Sequence, residues 1–228
     1  MKQLLDGILC CLIGYILGNF CPAYLFGKIK GYDIRKEGSG NVGATNAFLL
    51  VGKHAFFITA TLDILKAFLA CIICERVFPQ LALAAPLAGT ACVLGHIYPI
   101  VLGFHGGKGL AALGGVILAW HWQWFLLFLT AAIVIAFAMR YVCLVAPVVS
   151  VSFPACYYWK TGFLAGTLIL IIPAIAIFIK HWPNFVSIAN GTEMRTDFIW
   201  DKENELKRIG QWNDKTIDQL KRRNNTNH

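Results

Sequence analysis

The sequence predicts an all-α polytopic membrane protein with about seven transmembrane helices. Of its 228 residues, 57% are hydrophobic and only 14% are charged, whereas a soluble domain usually carries about a quarter charged residues. The apolar residues come in long blocks of the length that a bilayer core requires. Unbroken blocks argue against the alternating strands of a β-barrel, and the lipid core demands an internally satisfied backbone, so the blocks are predicted to be helices.

The apolar blocks and the charged C-terminus predict the organisation of the chain. The predicted spans cover residues 4–26, 54–74, 81–101, 109–120, 122–139, 142–159 and 163–180. The fourth is short and the fifth follows it directly, so five full spans plus a short or re-entrant pair are the alternative. Residues 1–193 are predicted to form one membrane domain, and residues 194–228 a charged, solvated cytoplasmic tail with a short helix near residues 203–209.

The distribution of basic residues predicts the orientation in the membrane. With seven spans, only Lys2, Arg76 and Lys160 fall on one side, and every other lysine and arginine outside the spans falls on the opposite side. Basic loops are typical of the cytoplasmic side, so the N-terminus is predicted to lie outside and the C-terminus in the cytoplasm. This arrangement accounts for the net charge of +8 without a nucleic-acid partner.

Polar residues inside the predicted spans point to packing more than to a metal centre. The eight cysteines lie inside or at the ends of apolar blocks without the ligand spacing of a zinc site, so no metal is predicted. Asp63 and Lys66 lie three residues apart in the second span and are predicted to neutralise each other on one helix face. A proton or ion pathway is the alternative for this pair.

Two glycine-rich loops on the predicted cytoplasmic side are typical of anion sites. Glycines let the backbone turn sharply and direct several N–H groups at one anion, often a phosphate. The second loop also leads into an apolar segment, so it is predicted to lie at a helix N-terminus. It lacks the pattern of a Walker A motif, which argues against nucleotide hydrolysis. The candidate residues are Ser39, Gly40, Asn41, Gly43, Thr45 and Asn46 in the first loop, and His96, Gly106, Gly107, Lys108 and Gly109 in the second.

A third stretch, after the last predicted span, contributes a histidine, an amide and a carboxylate, namely His181, Asn184 and Glu193. Under the predicted topology all three stretches return to the same face of the membrane. Together they predict a site for a phosphate-bearing substrate at the membrane surface.

These motifs resemble those of the bacterial acyl-phosphate glycerol-3-phosphate acyltransferase family (the PlsY type). That family shows GSGN-x-GATN, then GH-x-x-P with GGKG, then H-x-x-N with GTE. Here the motifs are Gly38–Asn46, Gly95–Pro99 with Gly106–Gly109, and His181–Asn184 with Gly191–Glu193. The order and spacing agree from about residue 4 to 193.

The resemblance implies a seven-helix membrane fold with a cytoplasmic active site, no cofactor, and fatty acyl phosphate as the acyl donor. It further implies that Ser39, Gly43, Lys108, His181 and Asn184 hold the donor phosphate. Glu193 would orient the third motif or contact the acceptor. The other partners would be a small phosphorylated acceptor and membrane lipid, and the protein would lie in a bacterial plasma membrane.

Several positions depart from the family pattern on the acceptor side. Leu49 replaces an arginine associated with the acceptor phosphate, Cys143 and Ala146 replace two serines, and Trp182 replaces an arginine. Arg140, Arg195 or tail residues are the candidates to supply the missing charge. The expected reaction is acyl transfer to glycerol 3-phosphate. A different acceptor, or a lipid or anion transporter using the same loops, are the alternatives.

Overall fold

The computed structural model describes residues 1–31 and 33–209, and all regular structure within them is helical. Three short 3₁₀ turns, Ile100–Leu102, Val142–Leu144 and Thr196–Ile199, link or follow the α-helices. The α-helices are α1 (Lys2–Gly18), α2 (Pro22–Ile29), α3 (Ala44–Leu50), α4 (Lys53–Val77), α5 (Ala84–Ile97), α6 (Leu110–Trp120), α7 (Trp122–Met139), α8 (Val145–Thr161), α9 (Leu164–Ala189) and α10 (Lys202–Arg208).

Six helical segments in the described ranges are long and apolar enough to cross a membrane. They coincide with six of the seven predicted spans, and the all-helical membrane fold is confirmed. The remaining span corresponds to α6, which has 11 residues and therefore rises only about 16 Å, roughly half of a hydrocarbon core. The segments that qualify are Lys2–Ile29, Lys53–Val77, Ala84–Leu102, Trp122–Met139, Val142–Thr161 and Leu164–Ala189.

The first predicted span is interrupted between α1 and α2. Pro22 opens α2 at a position where its missing N–H is not needed. The interruption leaves backbone carbonyls without helical partners, and the Lys66 ammonium donates to two of them, Gly18 O at 3.2 Å and Phe20 O at 2.6 Å. Because unsatisfied carbonyls are costly inside a membrane, Lys66 stabilises this break.

Small residues bring α1 and α5 into close contact. A Cβ atom added at Gly14 would overlap the carbonyl of Ala88, and one added at Gly18 would overlap the carbonyl of Cys92. Such close approach of glycine-bearing helices is how membrane helices pack without a hydrophobic driving force. Four of the cysteines lie in the resulting core as free buried thiols, Cys10, Cys71, Cys74 and Cys92.

The last membrane helix is longer than predicted, and this changes the third motif. The prediction ended the span at residue 180, whereas α9 continues to Ala189 and contains Pro183. The prediction that His181 and Asn184 follow the last membrane helix is therefore wrong. The two residues are three positions apart on one helix, so they project from the same face.

The described part of the predicted tail packs against the membrane domain. The predicted short helix is confirmed as α10. Phe198, Leu206 and Ile209 are buried in a cluster that also contains Leu49 and Leu50. The expectation of a solvated segment is thus wrong as far as residue 209, and residues 210–228 lie outside the described residues.

Candidate active site

The three predicted stretches line one cavity of about 600 Å³. Its polar wall combines the first loop, the start of α6 and the C-terminal part of α9. The predicted site residues that line it are Ser39, Asn41, Gly43, Thr45, His96, Lys108, Gly109, His181, Asn184 and Glu193. Much of the remaining wall is apolar, contributed by Phe56, Ile64, Phe125, Phe128 and Leu129. A cavity with these two kinds of lining suits a ligand with a charged group and a hydrocarbon chain.

A chain of hydrogen bonds joins the second and third motifs inside this cavity. The Lys108 ammonium donates to Asn184 Oδ1 at 2.6 Å, and Asn184 Nδ2 donates to Glu193 Oε1 at 2.8 Å. The two ionic partners fix the orientation of the amide, because its oxygen must face the cation and its nitrogen the carboxylate. Lys108 thus has further N–H donors available for a ligand.

The Lys108 ammonium is held in a partly desolvated position. Burial lowers the pKa of Lys108 below its ordinary value, and the Glu193 carboxylate opposes only part of that shift. Lys180 lies close enough to add to the lowering. A bound anion would restore the balance of charge, so the cavity favours a negatively charged group beside Lys108.

His181 is buried and its ring is oriented by its own helix. Nδ1 lies 2.8 Å from the carbonyl oxygen of Ile177. A carbonyl only accepts, so Nδ1 carries hydrogen. The neutral ring therefore presents an unprotonated Nε2.

Asn46 builds the first loop instead of binding ligand. It is fully buried and does not line the cavity. Its Nδ2 donates to the carbonyls of Ile34 and Glu37 at 2.9 and 3.0 Å, and its Oδ1 accepts from the Ser39 N–H at 3.0 Å. Gly38, at φ +63°, passes so close to this amide that any Cβ would overlap Oδ1. Both polar atoms of the Asn46 side chain are thus engaged within the loop, which argues against the predicted substrate contact.

The first loop offers fewer N–H donors than the predicted nest. The Gly40 N–H donates to Glu37 O at 3.1 Å, and the Gly43 N–H donates to Asn41 O at 3.1 Å. Gly40 is also absent from the cavity wall. These two N–H groups are therefore already taken up within the loop.

Gly106 and Gly107 likewise serve packing. The Gly106 N–H donates to Ile97 O at 3.2 Å and the Gly107 N–H to His96 O at 3.0 Å, so the second loop folds back on the end of α5. A Cβ at Gly107 would overlap His96 Nε2. Neither glycine lines the cavity, and the predicted nest is wrong at both. Gly109, at φ +92°, caps α6 and does line it.

Arg140 does not reach the cavity. Its guanidinium pairs with Asp197 at 2.5 Å on an exposed surface. This one of the predicted substitutes for the missing acceptor cation is therefore occupied elsewhere. Leu49, at the position of that cation in the family pattern, is fully buried.

The Asp63–Lys66 pair has a third member that the sequence did not indicate. The ion pair is present at 2.7 Å between Lys66 Nζ and Asp63 Oδ1, which confirms the structural interpretation. His96 Nδ1 lies 2.9 Å from Lys66 Nζ and 3.2 Å from Asp63 Oδ1. Because Asp63 and His96 line the cavity, this buried group connects the cavity wall to the break after α1.

Other residues of the polar wall were missed from the sequence. Lys180 lines the cavity and its ammonium lies 4.7 Å from the centre of the Tyr98 ring. It precedes Asn184 by four residues, so continuing the last helix past residue 180 would have placed it on that face. Further residues missed are Cys143, Ser187 and Thr192, together with the apolar Met194, Phe198 and Ile209.

Comparison with known proteins identifies relatives of this chain. A family model described as glycerol-3-phosphate acyltransferase matches residues 8–191. The chain is 34% identical over 184 residues to a glycerol-3-phosphate acyltransferase of Symbiobacterium thermophilum, covering 81% of this chain and 92% of the relative. It is 36% identical over 187 residues to one of Mesorhizobium japonicum, covering 82% of this chain and 94% of the relative.

Solved structures of the same fold are also similar. The crystal structure of PlsY, an integral membrane glycerol 3-phosphate acyltransferase, in its glycerol 3-phosphate form superposes with a TM-score of 0.79 and 30% identity, covering 85% of this chain and 96% of that one. The lysophosphatidic acid form gives a TM-score of 0.74 at 30% identity, covering 83% and 94%. The chain therefore belongs to the glycerol-3-phosphate acyltransferase family and is an integral membrane acyltransferase.

Proposed function

We propose that this chain transfers a fatty acyl group from an acyl phosphate to a hydroxyl of glycerol 3-phosphate, which gives lysophosphatidic acid and inorganic phosphate. The observation that carries the proposal is the Lys108–Asn184–Glu193 chain of hydrogen bonds at the wall of a cavity that is otherwise largely apolar. The apolar wall suits the fatty chain and the cation suits the phosphate. The related PlsY structures, in glycerol 3-phosphate and lysophosphatidic acid forms, support the same acceptor and product.

The reaction requires no covalent enzyme intermediate. An acyl phosphate is a mixed anhydride, so its carbonyl carbon is already electrophilic. The acceptor oxygen forms a bond to that carbon, and the bond from carbon to the phosphate oxygen breaks with its electron pair leaving on phosphate. Lys108 stabilises the growing negative charge on the leaving group, while Ser39 and Asn184 help to align it.

The hydroxyl proton has two possible acceptors in this geometry. In its neutral form His181 presents an unprotonated Nε2, which suits a base, whereas the protonated ring would suit a phosphate ligand. We favour the departing phosphate as the proton acceptor. Once it has taken that proton, the phosphate O–H can donate to the unprotonated Nε2 of His181, so the neutral ring can hold the product phosphate as an acceptor.

A second cation supports glycerol 3-phosphate as the acceptor despite the loss of the family arginine at Leu49. Lys180 lines the same cavity as Lys108, so two ammonium groups are available for two phosphates. Trp182 instead contacts Phe178 and Phe185 and is 60% exposed. We infer that Lys180 contributes the charge that the departures at positions 49 and 182 remove.

An acceptor panel tests the proposal. Purified protein is reconstituted in liposomes with palmitoyl phosphate and, in separate reactions, glycerol 3-phosphate, dihydroxyacetone phosphate, glycerol or an amine, and acyl product and phosphate release are measured. We expect lysophosphatidic acid with glycerol 3-phosphate. Product with another member only would establish a different acceptor, and no product with any would leave the transporter alternative, tested by flux of radiolabelled donor across the same liposomes. The Lys180→Met variant tests the role of the second cation. It should raise the KM for glycerol 3-phosphate more than the KM for palmitoyl phosphate.

We further propose that the cavity faces the cytoplasm of a bacterial plasma membrane, with the N-terminus outside. The basic loops support this orientation. Fusing alkaline phosphatase or green fluorescent protein to the C-terminus tests it in cells. A fluorescent, phosphatase-negative fusion is expected, and the reverse pattern would contradict the orientation.

A further inference from the structure

The segment from Met194 to Ile209 lies beyond the region that matches the family, residues 8–191, yet it forms part of the cavity. Met194, Phe198 and Ile209 contribute directly to the wall. The relatives compared above align over about four fifths of this chain. The structure of this segment therefore bears on properties of this chain that the family pattern does not describe.

Arg208, in the last turn of α10, holds the backbone of the third motif. Its Nη1 donates to the carbonyl of Gly191 at 2.7 Å, and its Nη2 donates to the carbonyl of Glu193 at 2.6 Å. The same guanidinium pairs with Glu205 through Nε at 2.8 Å and Nη2 at 2.7 Å. The planar group thus joins α10 to both ends of the Gly191–Glu193 turn, a geometry that lysine does not reproduce.

Arg208 and Glu205, which together we call the clamp, are themselves held in place. Glu205 is buried, and its Oε1 also accepts from the Arg195 N–H at 2.6 Å. Burial alone would raise the pKa of Glu205, but the hydrogen bonds from Arg208 and from the Arg195 backbone outweigh it and leave the pKa below its ordinary value. The carboxylate therefore stays ionised and the pair stays charged at neutral pH.

Hydrogen bonds and an ion pair attach the segment to the membrane domain. Within the described residues, the Thr196 N–H donates to the carbonyl of Arg140 at 2.8 Å, and the Lys202 ammonium donates to the carbonyl of Leu49. Arg140 itself pairs with Asp197. The clamp therefore connects the Glu193 turn to fixed points on the protein body.

The position of the Glu193 backbone affects the orientation of the polar side chains that line the cavity. Its carboxylate orients the Asn184 amide, and Asn184 in turn holds Lys108. A displacement of about 1 Å in a catalytic group can cost on the order of a hundredfold in rate. A residue that fixes the Glu193 backbone therefore influences the geometry of the Lys108 ammonium at one remove.

We propose that Arg208 is a positioning residue for the acyl transfer reaction, which acts through the Gly191–Glu193 backbone on the Glu193–Asn184–Lys108 hydrogen bonds. This inference rests on the proposed function. It makes the C-terminal segment a working part of the site in this chain.

The test combines kinetics with a double-variant cycle. In reconstituted protein with palmitoyl phosphate and glycerol 3-phosphate, Arg208→Ala should lower kcat by about ten- to a hundredfold, and Arg208→Lys should recover only part of it. Added to Glu193→Ala, the Arg208 change should lower kcat by no more than roughly twofold further, since both act along one path. Lys207→Ala, which removes an ion pair with Glu203 on the exposed face of α10, is the matched control and should keep the parent rate.

A second variant separates positioning from general loosening of the segment. Leu206 is a buried packing residue of the same helix. If Arg208 acted only through packing, the fold-losses in kcat caused by Leu206→Ala and by Arg208→Ala would each multiply with the loss caused by Glu193→Ala. Independent multiplication by the Arg208 change, or unchanged kcat in Arg208→Ala, would overturn the proposal.

A measurement that does not depend on turnover distinguishes the positioning role of Arg208 from the proposed acyl transfer function. The amides of Thr192 and Glu193 donate to the carbonyl of Ser187 at 2.8 and 3.1 Å, so hydrogen–deuterium exchange reports on the clamped turn. Exchange there should accelerate at least severalfold in Arg208→Ala and remain unchanged in Lys207→Ala. Unchanged exchange in Arg208→Ala would overturn the inference, whereas an inactive parent protein with accelerated exchange in the variant would count against the proposed function alone.

Discussion

Replacing Lys108 by alanine is the most direct test of the active-site geometry. The ammonium is the cation of the hydrogen-bonded chain that crosses the cavity wall, and it lies 2.6 Å from Asn184 Oδ1. The change removes the group proposed to stabilise the leaving phosphate. It also leaves the Asn184 oxygen without its donor.

Two magnitudes follow from this geometry. Removing one preorganised donor from a site of developing negative charge typically lowers kcat by about 10²- to 10³-fold, or about 2.7–4 kcal/mol. The unpaired amide oxygen should separately lower the stability of the protein by about 1–3 kcal/mol. The loss of rate should therefore exceed what the loss of folded protein explains.

The assay compares Lys108→Ala with Lys53→Ala, which truncates an exposed lysine at the start of α4 that does not line the cavity. Lysophosphatidic acid formation is measured in liposomes after the folded fraction of each variant has been determined by size-exclusion chromatography and thermal unfolding. Lys53→Ala should retain the parental kcat. A Lys108→Ala protein with full kcat would refute the assignment of Lys108 to the leaving group.

Three further changes test other parts of the structure. Burial lowers the pKa of Lys108 in the free protein, and a bound phosphate would raise it, so activity should fall as the pH rises through that pKa. The alkaline limb of the kcat/KM profile should therefore lie at lower pH than the alkaline limb of the kcat profile, and coincident limbs would contradict this. Lys66→Met leaves Asp63 buried with only His96 beside it, so the unfolding free energy in detergent should fall by up to about 3–5 kcal/mol, with partial recovery when Asp63→Asn is added. An unchanged melting temperature in the single variant would argue against the pair. Gly107→Ala should displace the His96 ring that a Cβ would overlap and lower both stability and kcat, whereas parental values for both would show that the second loop tolerates a side chain.

The fold class could be predicted from the sequence because it depends on local properties. The length of an apolar block shows whether it can cross a bilayer as a helix, and for this reason the block at α6 could be recognised as short for a span. The end of α9 could not be located in this way. The last predicted span stopped at residue 180, where the unbroken apolar block ends, but the helix continues past Pro183 to Ala189.

The candidate site was predictable as a set of motifs but not as a set of contacts. The sequence pointed to Lys108, Asn184 and Glu193, which the cavity brings together. It treated Asn46 and Gly107 in the same way, and both serve the architecture of the loops instead. Residue type alone does not reveal which of several polar groups in a loop is consumed by its own backbone, because that depends on turn geometry.

Apolar block length and motif spacing are read along the chain, so they were enough to predict a helical membrane protein with three phosphate-type motifs. The contact of His96 with the Asp63–Lys66 pair, and the contribution of the Met194–Ile209 segment to the cavity wall, became visible only in the folded chain. Such contacts join residues that are far apart in sequence, and their energy depends on burial and on distances of a few ångströms. Neither quantity is encoded in any local pattern of residues.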